Sequence, residues 1–303
     1  MDVRRSLTPV GPGNKWVREF FSIKRNRGSS GTDGVALEGF WMIRAARAAG
    51  CVIDAVFVCV DLLRGPASLR LVGELVDDGL PALSVSTPVL TRMVRRDGPD
   101  GLAAVGRWSA VVLGNLVPGP YARCVVMDGC ALPGNLGSLV RCADAAGACA
   151  VITTNCRVRL HHPLVLKASM GTVFSVPLCA AEPAEALSWL RLHGFHLLAA
   201  EPSSSVSYLK ADYPPKVAIL LGSERDGLNV FWRAAADQRV SIPMLGSADS
   251  LNVGHAGAVL LYHTLARQGA PSKTAGRKRE PGSSARRHAG PILPSAGCGH
   301  PSR

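Results

Sequence analysis

Five short apolar runs recur between Cys124 and Ile242, interleaved with stretches of helical spacing. The runs are Cys124–Asp128, Cys149–Thr154, His196–Ala200, Val217–Gly222 and Arg239–Ile242. Helices are predicted over Leu136–Ala146, Glu182–Leu192, Asn229–Ala236 and Gly254–Arg267. Strands that are apolar along their whole length, not at alternate positions, have to be covered on both faces. Helices between them supply that cover, so the class is α/β with a parallel sheet.

The last of these units, Val240–Ala266, has the clearest shape. It opens as a short apolar strand, is stopped by Pro243, and crosses a small polar turn from Gly246 to Asn252. It then becomes a helix with Ala256, Val259, Leu260 and His263 on one face. Free N–H groups at such a helix start can hold a polar ligand. By itself the pattern also fits any βα unit of a buried sheet.

The first third of the chain reads as a second, smaller α/β module. A short helix is predicted over Asn14–Phe21, with Trp16, Val17, Phe20 and Phe21 apolar. It leads into a basic loop whose Lys24, Arg25 and Arg27 are candidate phosphate contacts, although such charges also serve as solvated surface. After Leu37–Phe40 a helix is expected through Ala49, then a strand over Cys51–Val60 and weaker strands near Ser68–Val72 and Leu83–Val85. Gly106–Tyr121 carries Gly and Pro and reads as a linker. From Ala270 onward Pro, Gly, Ser and Arg dominate without hydrophobic period, and disorder is expected.

Charge placement says more than its total. Residues 1–30 hold seven Lys and Arg against two acids, and residues 268–303 hold seven against one, so the two arms carry nearly all of the net +12. That distribution suits a polyanionic ligand. Hydrophobic content of 47% and a mean hydropathy of +0.18 indicate a folded chain. The start, Met1–Gly13, has no apolar core of an export signal, no run is long enough to span a bilayer, and a cytoplasmic location is expected. The nine cysteines (Cys51, Cys59, Cys124, Cys130, Cys142, Cys149, Cys156, Cys179 and Cys298) contain no CxxC pair, which suits reduced thiols and neither a disulfide framework nor a metal site.

Three motifs carry the chemistry. Pro133–Arg141 (PGNLGSLVR) follows a strand, and its glycines let backbone approach a ligand before the helix begins. It lacks the GxGxxG of dinucleotide folds. Leu220–Leu228 (LLGSERDGL) is a buried strand ending in glycine, then an acidic turn. Ile242–Asn252 is the strand end and polar turn described above. A fourth stretch, Lys167–Pro177, reads as a helix end with a glycine stop and a strand.

In this order and spacing the motifs resemble the SPOUT-class RNA methyltransferases, TrmH (SpoU) branch. The PGNLGSLVRCADAAGA and SIPMLGSADSLN segments are most similar to ribosomal-RNA ribose methyltransferases of the avilamycin- and thiostrepton-resistance type. The resemblance implies a C-terminal SPOUT domain with a trefoil knot over residues 121–268. Before it would lie a small L30e-like substrate-binding domain over 31–105 and a linker at 106–120, with basic arms at 1–30 and 269–303. It implies catalytic roles for Asn135, Arg141, Glu224, Ser250 and Asn252. It assigns S-adenosylmethionine contacts to Ala199, Gly222, Ser223, Ile242, Met244 and Leu251. Arg225 stands where many members carry glycine, and His255 either packs in the helix start or faces substrate.

The implied reaction is methyl transfer from S-adenosylmethionine to a ribose 2′-hydroxyl of structured RNA, 23S rRNA first and tRNA second. A homodimer is implied, with the site near the subunit interface. A non-catalytic RNA-binding factor of the same fold is the competing reading. Arg141 is poorly suited as a base because guanidinium stays protonated near neutrality, so positioning of phosphate and hydroxyl is its expected task.

Overall fold

The computed structural model describes residues 6–26, 33–94 and 98–269; Arg27 and the expected disordered tail beyond Gly269 lie outside them. Two sheets organise these residues. The first contains β1 (Thr8–Pro9), β2 (Gly34–Glu38), β3 (Val52–Val58), β4 (Ala82–Ser84) and β5 (Leu102–Arg107), in the order β1-β4-β3-β5-β2. Its helices are α1 (Lys15–Lys24), α2 (Phe40–Ala48), α3 (Gly65–Asp77) and α4 (Thr87–Met93). Asn14 caps α1 by accepting from the Trp16 N–H at 2.9 Å, and Val17, Phe20 and Ile23 bury one stripe. Phe20 meets Phe57 of β3 edge to face at 5.8 Å.

Two expectations for this part change. The strand near Ser68–Val72 is instead the interior of α3, where Ser68, Leu71, Val72 and Leu75 are buried at helical spacing. Pro66 starts that helix, at a position where the missing N–H costs nothing. Strands β2 and β5, neither expected, pair antiparallel with each other, and β5 also pairs antiparallel with β3. Their small residues explain the miss: Gly106 fits only because it has no side chain to strike the Val52 carbonyl beside a β3 irregularity.

The second sheet is wholly parallel. It holds β6 (Ala122–Asp128), β7 (Ala150–Thr154), β8 (Leu178–Ala180), β9 (His196–Ala200), β10 (Lys216–Leu221) and β11 (Gln238–Val240), in the order β11-β9-β10-β6-β7-β8. Every residue of β6 and β7 is buried, as central strands covered on both faces require. The helices are α5 (Pro133–Ala145), α6 (Pro163–Ala168), α7 (Pro183–Leu192), α8 (Val230–Ala235) and α9 (Val253–Gln268). One apolar cluster runs from the first sheet through α2, α3 and α5 to one face of the second, so the two sheets share a core. Trp108 and Phe174 meet edge to face at 5.5 Å within that shared region.

Helix α9 forms where expected, but its buried stripe is Val253, Gly257, Leu260, Leu261 and Thr264. Of the expected face only Leu260 is fully buried; Ala256, Val259 and His263 are half-buried. Gly257 turns the helix, because it lies against Leu139 of α5 and Leu221 of β10 where a side chain would overlap both. Hydropathy does not mark a glycine as a contact point.

Candidate active site

Four loops leave the carboxyl ends of β6, β9, β10 and β11 and enclose a cavity of about 510 Å³. That is where ligands bind in open parallel sheets. Its wall includes Asn135, Gly222, Ser223, Glu224, Ser250 and Asn252, which the three motifs bring together from positions over a hundred residues apart. A larger cavity of about 780 Å³ lies beside the ends of β7 and β8. Its Arg157 and Arg159 face Asp33, Glu182 and Glu185, burial favours neutral His161, and it contains none of the motif residues. The chemistry therefore belongs to the smaller cavity.

Hydrogen bonds orient its polar groups in one direction. Asn135 Nδ2 donates to Glu224 Oε1 at 2.5 Å, and Asn252 Nδ2 donates to Asn135 Oδ1 at 3.0 Å. Asn252 Oδ1 accepts from the Gly254 N–H at 2.9 Å and caps α9. An ionised carboxylate only accepts, so it fixes the flip of Asn135, which fixes that of Asn252. The relay ends on the positive end of the α9 dipole. It holds three loops in one register.

The turn after β10 is equally determined. A side chain at Gly222 would overlap the backbone of Gly227 and Leu228, so the chain folds back directly on itself there. Ser223 and Gly227 exchange both backbone hydrogen bonds at 3.0 and 3.1 Å, and Ser223 Oγ accepts from the Asp226 N–H at 2.9 Å. Gly227 adopts a φ of 68°, which suits glycine. Behind the site Asp128, almost fully buried, accepts from Thr154 Oγ1 at 2.9 Å and Asn155 Nδ2 at 2.8 Å. It ties the ends of β6 and β7 beneath the loop that leads to Asn135.

The remaining candidates are distributed unevenly. Ile242, Met244 and Leu251 line the cavity, together with Leu132 and Leu221, and give it an apolar wall. Ala199 does not: it is fully buried in the opposite core because strand side chains alternate, and its neighbour Ala200 lines the cavity instead. Arg141 is exposed on α5, outside the cavity wall. His255 is exposed on α9 and is not packed into the helix start. Lys24 forms an ion pair with Glu38 in which both side chains are largely covered, so it joins α1 to β2. Arg25 is exposed.

One acidic wall residue was not anticipated. Glu201, at the end of β9, is 8% exposed, with its carboxylate 2.8 Å from Arg233 Nε and 4.0 Å from Arg239 Nη1. Its only sequence signal is an acid following an apolar run, which is also the pattern of an ordinary strand end. Beneath the Glu224 turn lies a thiol pair, Cys130 and Cys156. The Cys156 thiol is pushed down to about 7 by its hydrogen bond with Cys130, against the opposing effect of burial. The Cys130 thiol is raised by the same bond. Among the described residues no cluster of His, Cys, Asp or Glu suits a metal ion, and no helix is long and apolar enough to cross a membrane.

A wholly parallel sheet with loops, not a glycine-rich dinucleotide turn, around its ligand cavity defines a restricted class. Residues 122–262 match the sequence profile of the SpoU rRNA Methylase family. The 23S rRNA (guanosine-2′-O-)-methyltransferase RlmB of Bordetella pertussis is 32% identical over 60% of this chain and 76% of its own length. The chain belongs to the SpoU rRNA methylase family. It is also 34% identical to the 23S rRNA (uridine(2479)-2′-O)-methyltransferase of Streptomyces viridochromogenes, a match spanning half of this chain and about half (54%) of that relative. The crystal structure of an AdoMet-bound rRNA methyltransferase from Sinorhizobium meliloti superposes with a TM-score of 0.78 at 26% identity, over 88% of this chain and all of that one.

Proposed function

We propose that this chain methylates a ribose 2′-hydroxyl of structured RNA, with 23S rRNA as the favoured substrate and S-adenosylmethionine as methyl donor. The observation that carries the reading is the Glu224–Asn135–Asn252 relay in the wall of a cavity that also presents an apolar side. Leu221, Ile242, Met244 and Leu251 suit an adenine ring, and the side-chain-free backbone at Gly222 suits close approach of a bent cofactor. When bound, the cofactor supplies an electrophilic sulfonium methyl. The chain's task is then orientation and help with a poorly acidic proton.

In this reading Asn135, oriented by Glu224, and Ser250 and Asn252 hold the ribose for in-line attack. Arg141 lies outside its own cavity wall, so its place in the reaction is opposite the cavity of a second copy, in a homodimer. There it neutralises the target phosphate and polarises the hydroxyl, since guanidinium does not act as a base. The five-stranded unit and Arg25 would present the RNA, in the cytoplasm where ribosomes are assembled. The trefoil knot of the family belongs to the same proposal.

Transfer of labelled methyl from S-adenosylmethionine to 23S rRNA, 16S rRNA and bulk tRNA tests the reading. Label in 23S rRNA that survives alkali as a protected dinucleotide is the expected result. Label in tRNA alone would keep the reaction and replace the substrate. Absence of both label and cofactor binding would leave a non-catalytic RNA-binding protein.

A further inference from the structure

The first turn of α2 carries an aromatic ring, Trp41, that the core does not use. Trp41 is 67% exposed, whereas Trp108, Trp189 and Trp232 are buried and Trp16 is half-buried. Phe40 meets its ring edge to face at 5.2 Å, and Arg44, one turn on, sets its guanidinium carbon 5.5 Å from the ring centre. Arg44 is exposed and forms no ion pair with a described residue. The turn beneath is held firmly: the Phe40 N–H donates to Asp100 Oδ2 at 2.9 Å, and the Glu38 N–H to Met42 Sδ at 3.4 Å. On the inner side of α2, Met42 and Ala45 pack on Gly171. That contact places the aromatic turn beside Met170, which is 63% exposed with a φ of 54°. Met170 follows α6, and α6 packs through Val165 and Ala168 on Gly137 of α5, two residues after Asn135.

We propose that Trp41 and Arg44 form a stacking platform for one unpaired base of the RNA substrate. The inference rests on the ribose-methyltransferase reading and names a place where the substrate is gripped. A rigid indole face accepts any base, and the neighbouring guanidinium reaches that nucleotide's phosphate. Arg44, exposed at the ring and unpaired among the described residues, favours a polyanion over a second copy that would bring the same cation to this face.

The test uses the full chain, an unmodified 23S rRNA transcript, and the variants Trp41→Ala, Trp41→Phe and Arg44→Ala, with exposed Leu192→Ala as control. Trp41→Ala should raise KM for RNA by roughly tenfold while kcat and S-adenosylmethionine affinity stay within about twofold. Trp41→Phe should recover part of the loss, and Leu192→Ala should show none. Acrylamide quenching of the wild type minus Trp41→Phe should fall when RNA is added. Unchanged KM in Trp41→Ala, with an active wild type, would overturn the platform alone. Trp41 shielded without RNA, and released on dilution, would assign the ring to a contact between copies and overturn it too. A wild type that neither binds nor methylates any RNA would overturn the ribose-methyltransferase reading together with the platform.

Discussion

Asn135 has the most constrained side chain in the cavity, accepting from Asn252 and donating to Glu224. Glu224→Gln retains size but can present an amide, which leaves the Asn135 flip undetermined. We expect kcat to fall by about 10²-fold or more, in the range of a lost positioning or proton-transfer group, with cofactor affinity nearly unchanged. Single-turnover methyl transfer beside calorimetric titration of cofactor separates the two. Asn135→Ala should do the same, and Glu224→Gln combined with it should add little, because both break one relay. A second expectation at this scale concerns Cys156. With its thiol near 7 it should be the fastest to alkylate among the cysteines of the described residues, with half-maximal rate near that pH as the thiolate forms. Peptide mapping after brief iodoacetamide treatment at pH 6 and pH 8 checks this: labelling of Cys156 rises across that interval, and the buried Cys124, raised by desolvation, stays unlabelled.

Among the elements, the β10 turn and the start of α9 do most to shape the cavity. Gly222→Ala would force apart two backbone segments, not the end of a flexible side chain. The Ser223–Gly227 ladder would open, and cofactor affinity should drop by about tenfold or more, a displacement of the wall worth at least 1.4 kcal/mol. Titration of S-adenosylmethionine into the variant measures it, and an unchanged affinity would show that the loop is dispensable for binding. Trp232 of α8 is fully buried, with its Nε1–H donated to Thr154 Oγ1 at 3.1 Å. Trp232→Ala should cost about 3–5 kcal/mol of stability, read from chemical denaturation, because it opens a cavity and leaves that hydroxyl with only its bond to Asp128.

At the scale of the whole molecule, the exposed Arg141 makes a specific demand. If its cavity is the partner's, Arg141→Ala and Asn135→Ala are each inactive as homodimers but complement one another when mixed. A mixed dimer then holds one cavity with both groups intact, and roughly a quarter of wild-type activity should return after subunit exchange. Mixing that restores nothing would mean that Arg141 acts within its own chain or not at all. Ion pairs such as Lys24–Glu38 consume part of the basic surface internally. The number of basic side chains free to meet RNA is therefore smaller than the count of Lys and Arg, although the net charge is unchanged.

The sequence by itself determined the parallel sheet, because strands buried on both faces are apolar at most consecutive positions, and β6, β7, β9 and β10 are legible for that reason. It also marked most of the cavity wall, since loops that approach ligands need glycine and small polar residues at set distances from strand ends. It could not announce β5, built of small residues, and it set the strand of Lys167–Pro177 too early: Thr172–Phe174 is a 3-10 turn and β8 begins only after Pro177. Nor could it distinguish Ala199 from Ala200, a choice made by strand phase alone. Only the tertiary structure decided which glycine is a contact, which lysine is already paired, and that Glu201 faces the cavity while Arg141 does not. Each of those depends on a neighbour distant in the chain, and local periodicity carries no record of who that neighbour is.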